Sequence, residues 1–204
     1  MSPKQPFLLR LVQKVFVGKR NFLSLWRRKI FPINVSVSGG QLEMAHSVRF
    51  DQKVQFQGEG MLILGGGVIL GYWLSGSSHW PILFQPRELQ AKIQIGKRTA
   101  VSNGCEFIAR TAIIIGENCR IGPRCIFMDS DFHDISPDKR NQPGHTAPIY
   151  LDDNVWLGAD VMVLKGIRIG KDAIVGARCV VTKNVPDGAI AVGNPMKIIG
   201  TVYA

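Results

Sequence analysis

From Leu151 to Pro186 the apolar residues of this chain recur every six positions without a slip. Counting hexads from Leu151, the first positions are Leu151, Leu157, Val163, Ile169, Val175 and Val181, and the fifth positions are Val155, Val161, Ile167, Ala173, Cys179 and Val185. All are apolar, which at average usage has a chance on the order of 10⁻⁴. An α-helix repeats at 3.6 residues and a two-faced strand at 2, but here residues two apart are paired and a gap of four follows. Residues two apart on a strand share a face, so Val155 with Leu157, Val161 with Val163 and Ile167 with Ile169 point inward together. The gaps must then be corners. Gly158, Gly166, Gly170 and Gly176 fall in them, where a missing Cβ lets the chain turn. Short strands joined by corners at a fixed period make a solenoid.

The same pairing appears upstream. Phe50 with Val54, Phe56 with Gly60 and Leu64 with Val68 repeat it, with a two-residue slip between the second and third. Residues 72–92 break the pattern with Trp73, Trp80, Pro81 and Pro86, which predicts a loop. The hexads resume at Ile95, Val101 and Phe107, then slip by two to Ile115, Ile121 and Phe127. A second break runs from Met128 to Pro148, and structureless loops of that length are uncommon unless they carry function.

Three stretches, Asn154-Val155-Trp156-Leu157-Gly158, Val180-Val181-Thr182-Lys183-Asn184-Val185-Pro186 and Gly193-Asn194-Pro195-Met196-Lys197, resemble the C-terminal signature of the hexapeptide-repeat acyltransferases. Over residues 35–199, most strongly after Ile93, the chain is similar to the galactoside, maltose and capsule or O-antigen sugar acetyltransferases of that family. The resemblance implies an all-β fold, a left-handed parallel β-helix of triangular coils, assembled as a homotrimer. Handedness comes from the resemblance alone, since ordinary crossovers are right-handed. The organisation expected is a basic amphipathic segment over 1–34, then a β-helix acyltransferase domain over 35–199 with loops at 72–92 and 128–148.

Composition sharpens the picture at the amino end. Of the formal charge of +10, eight units lie in residues 1–34, which hold Lys4, Arg10, Lys14, Lys19, Arg20, Arg27, Arg28 and Lys29 and no acid. Phe7, Leu8, Leu11, Val15 and Phe16 stand there at roughly helical spacing. Two readings fit: a helix packed on the trimer, or a peripheral anchor on an anionic membrane surface. No recognised nucleic-acid motif accompanies the charge. Apolar runs near the N-terminus are too short for a membrane span or a signal-peptide core, which makes a cytoplasmic location the expectation. Cys105, Cys119, Cys125 and Cys179 each occupy the inward fifth position of a hexad, as small core residues rather than disulfide partners or zinc ligands.

The second break reads Met128-Asp129-Ser130-Asp131-Phe132-His133-Asp134-Ile135 and resembles the family's extruded loop, whose histidine takes a proton from the acceptor hydroxyl. His133 stands at the matching position. Imidazole suits the task because its ordinary pKa lies near cellular pH. Spacing alone would equally describe a histidine on a solvated acidic turn; the signature that follows turns the reading to catalysis. His46, His79 and His145 lack that context. Asp131 is expected to orient the imidazole, to hold a sugar hydroxyl, or to be a turn residue only, and Asn103 resembles an acceptor-contacting Asn of the family. Trp156, Met162, Ile174 and Val180 lie between inward residues, and four apolar outward side chains suggest a covered surface, most simply a trimer interface. Trp156 also suits the wall of a sugar pocket.

The donor implied by the resemblance is acetyl-CoA, lying in a groove between two subunits against Gly158, Ala159 and Ala177, with polar contacts at Thr182 and Lys183. Lys183 and Lys197 would meet its phosphates. Gly200 stands where some relatives carry a basic residue. The reaction expected is acetyl transfer to a sugar hydroxyl in surface polysaccharide biosynthesis by direct attack, with no metal and an oxyanion held by a backbone N–H near Gly158 or Ala159. The rivals are an amino-sugar N-acetyltransferase, a metal-dependent hydrase on the same coil, and a non-enzymatic scaffold. The hydrase needs two closely spaced histidine ligands, and His133 and His145 are twelve apart.

Overall fold

The computed structural model describes residues 7–72 and 80–203, with side chains from Asn21 onward except Tyr72. Trp73 and His79 lie outside it, as do the side chains of Phe7, Leu8, Leu11, Val15 and Phe16. Helix α1 (Phe7–Val37) leads into three parallel sheets. The first face stacks β1 (Gln41–Met44), β4 (Met61–Leu64), β7 (Lys92–Ile95), β10 (Ala112–Ile115), β13 (Ile149–Leu151) and β16 (Arg168–Ile169). The second stacks β2 (Arg49–Phe50), β5 (Ile69–Tyr72), β8 (Ala100–Ser102), β11 (Arg120–Ile121), β14 (Trp156–Leu157), β17 (Ile174–Val175), β19 (Ala189–Val192) and β20 (Lys197–Thr201). The third stacks β3 (Val54–Phe56), β6 (Ile82–Pro86), β9 (Glu106–Ala109), β12 (Ile126–Met128), β15 (Met162–Leu164) and β18 (Val180–Val181). Through β18 the chain visits the faces in strict rotation, as a left-handed parallel β-helix of six turns.

One turn stacks on the next in register, Leu157 against Val175 and Val163 against Val181. Every inward hexad position between Leu151 and Val185 is at most 5 % exposed. On the third face Phe84, Phe107 and Phe127 stack as a ladder, with ring centroids 5.1 and 4.6 Å apart. The four cysteines are buried and unbridged within the same core.

The corners correct one expectation. Gly158, Gly170 and Gly176 are not where the backbone enters the left-handed region. That role falls, in seven corners, to the residue three positions after the strand's last: Arg98, Asn118, Arg124, Asn154, Asp160, Asp172 and Arg178 all have φ of 57–61°. The glycines are needed for close stacking instead. A Cβ on Gly158 would stand 2.6 Å from the Ala177 nitrogen, and one on Gly122 2.5 Å from the Gly158 carbonyl. Of the four glycines expected at corners, Gly166, at φ +73°, is the one that serves the turn itself.

Residues 72–92 do not form one loop. Ile82 and Phe84 are buried and β6 supplies the third face of its turn, with Pro86 at the strand's last position, where a missing N–H is tolerated. The helix likewise passes residue 34, because Val35 is buried in the core. Its last turns close the open end of the coil. Phe31 packs on Phe50 with centroids 5.2 Å apart. Ser24 Oγ accepts the Phe50 N–H at 2.9 Å, and the Arg27 guanidinium donates to the carbonyls of Phe50 (3.3 Å) and Asp51 (2.8 Å). Side chains thus satisfy backbone groups that an end strand would leave open to pairing. At the other end β20 folds back antiparallel on β19, with Met196 buried beneath.

Candidate active site

After β12 the chain leaves the corner between the third and first faces. Asp129, fully buried, roots this excursion: its carboxylate accepts the N–H of Arg110 (2.8 Å), the N–H of Thr111 (2.7 Å) and the Thr111 hydroxyl (2.7 Å). Two backbone bonds make a neck, Asp131 N–H to the His145 carbonyl (3.0 Å) and Ala147 N–H to the Asp129 carbonyl (2.9 Å). Phe132 turns the chain at φ 59°, with the Arg87 guanidinium 5.3 Å above its ring.

The next residue, His133, is exposed, and its Nδ1 lies 2.8 Å from the Arg140 carbonyl oxygen. A carbonyl only accepts, so this bond places the proton on Nδ1 and leaves the Nε2 lone pair for chemistry. The Asp131 carboxylate does not orient the ring. It is taken up by Lys165 Nζ at 2.6 Å, so of the three roles left open for Asp131 that of ring partner falls instead to a backbone carbonyl.

The other candidates divide between two edges of the prism. Thr182 and Lys183 are exposed at the third-to-first corner, the edge from which the His133 loop leaves. Gly158, Ala159 and Ala177 stack along the second-to-third corner, where Arg178 N–H bonds the Ala159 carbonyl at 2.8 Å. Lys197 pairs with Val192 on the strand leading toward that same edge. Asn103, buried, follows β8 into it and accepts the Arg124 N–H on its carbonyl at 3.0 Å. Trp156 is 55 % exposed on the second face between Arg120 and Ile174. A single chain therefore sets His133, Thr182 and Lys183 along one edge and Asn103 and the small residues along another, with the third face between the two groups.

Residues 148–183 match the Bacterial transferase hexapeptide (six repeats) family, and 112–128 match the Hexapeptide repeat of succinyl-transferase. Over these stretches the chain is similar to the hexapeptide-repeat acyltransferases. Among relatives, it is 40% identical over 89 residues to the galactoside O-acetyltransferase of Lactococcus lactis, 43% of this chain and 42% of that one. It superposes on a galactoside acetyltransferase in complex with coenzyme A at TM-score 0.51 and 28% identity, covering 54% of this chain and 55% of that. A polySia-specific acetyltransferase aligns over 78% of this chain and 74% of its own, at TM-score 0.56 and 25% identity. The chain spans about half the length of the curated relatives it matches.

In this hexapeptide-repeat chain several site residues escaped the sequence reading. Arg140 and Lys165 act across 7 and 34 residues, and no local pattern reveals them. Beside Gly104, the Arg124 guanidinium holds the Asp160 carboxylate through two bonds of 2.6 and 2.7 Å and lies 5.6 Å over the Trp80 ring. That pairing lowers the Asp160 carboxyl below its ordinary range and raises Arg124. The Gly158 N–H, expected near the oxyanion, is spent on the Val175 carbonyl at 2.8 Å within the ladder.

Proposed function

We propose that the protein transfers an acetyl group from acetyl-CoA to a hydroxyl of a sugar, as a homotrimer whose active sites lie between copies. The single observation that carries the reading is the exposed His133 ring, held through Nδ1 by the Arg140 carbonyl so that Nε2 keeps its lone pair. Nε2 takes the hydroxyl proton as the oxygen attacks the thioester carbonyl. The tetrahedral intermediate collapses with cleavage of the C–S bond, and the departing thiolate takes the proton back from the imidazolium, giving the ester and free CoA. With Gly158 N–H committed to the ladder, the backbone of Ala159 is the remaining candidate for the oxyanion.

Because His133 and the small-residue corner lie on different edges of one chain, a neighbour's corner must complete the site. The apolar outward residues support that contact on both sides of the shared edge, Trp156 and Ile174 on the second face, Met162 and Val180 on the third. The coenzyme A complex of a structural relative supports the donor, and the motif resemblance supports Gly158, Ala159 and Ala177 along its pantetheine arm and Thr182, Lys183 and Lys197 near its polar end. The polySia-specific relative supports a surface polysaccharide or its precursor as acceptor. The basic amino-terminal segment supports work at an inner membrane face.

The test is CoA release from acetyl-CoA across a panel of sugar acceptors, with mass spectrometry of the product. Ester formation, reversed by mild base, is expected; a base-stable amide would make the acceptor an amino sugar, and no turnover with any acceptor would leave a scaffold.

A further inference from the structure

Helix α1 has a second side. Ser24, Arg27, Phe31 and Val35 face the coil, whereas Phe22, Leu25, Trp26 and Ile33 are 69, 58, 55 and 60 % exposed. Their spacing puts these four on one stripe, opposite the side that packs. Run back along the sequence, the same spacing meets Leu8, Leu11 and Val15. Exposed aromatic and branched side chains on one stripe of a helix that already uses its other side for packing call for an occupant.

Charge selects it. Residues 1–34 carry eight basic residues and no acid, so two copies of the helix laid stripe to stripe would bring like charges together. An anionic lipid surface meets both features at once. Lys29 is exposed within the stripe, and Lys53 of the first coil lines a hollow of about 340 Å³ beside Trp26. No helix among the described residues is long and apolar enough to cross a membrane, so the element would lie in the interfacial plane.

We infer that the outer stripe of α1 is a lipid-docking surface: Phe22, Leu25, Trp26 and Ile33 enter the headgroup region of an anionic bilayer while the inner side holds the first coil. This gives the membrane location proposed above its physical element and rests on that location, not on the acetyl-transfer chemistry. Deleting residues 1–34 would test it badly, because the deletion strips the cap from the coil.

The experiment is flotation of the full-length protein with vesicles of phosphatidylglycerol and phosphatidylcholine, against pure phosphatidylcholine. Binding to the anionic vesicles only, reversed at 1 M salt as the Debye length falls to about 3 Å, is expected. The double variant Phe22→Glu, Trp26→Glu should lose about tenfold or more in vesicle partition with an unchanged melting temperature. His133→Ala should bind vesicles like the parent, so a failed chemistry would not be mistaken for a failed surface. Vesicle binding that ignores the double variant would overturn the stripe while leaving the membrane location. No binding to anionic vesicles would remove both. A double variant that instead changes the assembly's mass in sedimentation, with vesicle binding intact, would make the stripe a contact between copies.

Discussion

Two kinds of position that look alike in a corner behave oppositely. At Arg178, φ of 61° imposes a left-handed backbone that a side chain resists by about 1 kcal/mol, whereas Gly158 sits where any side chain would meet the Ala177 backbone. Arg178→Gly is therefore expected to leave the melting temperature unchanged or slightly raised, and Gly158→Ala to lower it, in paired thermal scans. Asp129 is the residue on which the His133 loop hangs. Asp129→Ala leaves two backbone N–H groups and a hydroxyl without their acceptor, at about 1–3 kcal/mol each, and should destabilise the protein well beyond Thr111→Val, which removes one bond. At His133 the expectation is kinetic. His133→Ala should lose roughly 10²–10⁴-fold in kcat with little change in acetyl-CoA affinity, and near-normal turnover would remove it from the mechanism. The sequence alone pointed to His133 through its motif. It left three roles open for Asp131 and could not name the ring's partner, because a bond to a main-chain carbonyl seven residues away leaves no residue-type signature.

Among elements, legibility followed burial. The strands from Leu151 to Val185 could be read because each sends two apolar residues to one common core, a pattern no loop imitates over so many repeats. Strand β6 was hidden by its neighbours: Trp80 and Pro81 before it and Pro86 at its end signalled a loop, while Ile82 and Phe84 kept the inward spacing. The helix was legible as a helix but not as a cap, since Ser24 and Arg27 bond to a strand 23 to 26 residues away. That role gives a prediction. Phe31→Ala, which empties a buried site against Phe50, should cost about 3–5 kcal/mol in denaturant unfolding. If the helix were only an appended anchor, the same variant would unfold like the parent.

For the molecule as a whole, the proposed division of the site between edges would make activity a property of the assembly. His133→Ala and a corner variant such as Ala159→Glu should each be inactive alone. Co-refolded at equal amounts, they should recover activity in about a quarter of the sites, those that pair an intact loop with an intact neighbouring corner. No recovery on mixing would place the whole site within one chain. The core offers a second measurement, on cooperativity. Burial pushes the Cys119 thiol up to about 11 and raises Cys105 and Cys179. Native thiols thus stay protonated when those of an unfolded chain ionise. The stability tied to them is complete below about pH 8.5 and declines as pH rises toward 11, which pH-dependent urea unfolding would register. At pH 8 an alkylating reagent should leave all four cysteines untouched until the coil opens.

The neck at Asp129–Ala147 and Asp131–His145 means that the excursion departs and re-enters at nearly one point. The turns above and below stack on each other whatever lies between, as β12 on β15 and β10 on β13 already do. Lengthening such a closed segment carries little penalty, about 0.6 kcal/mol for each doubling. The loop is in effect a cassette. A relative's insert, spliced between residues 131 and 145, should be accepted by this scaffold unaltered and bring its own acceptor preference with it, so that descent with a fixed coil and exchanged inserts would be enough to diversify the sugars such proteins modify.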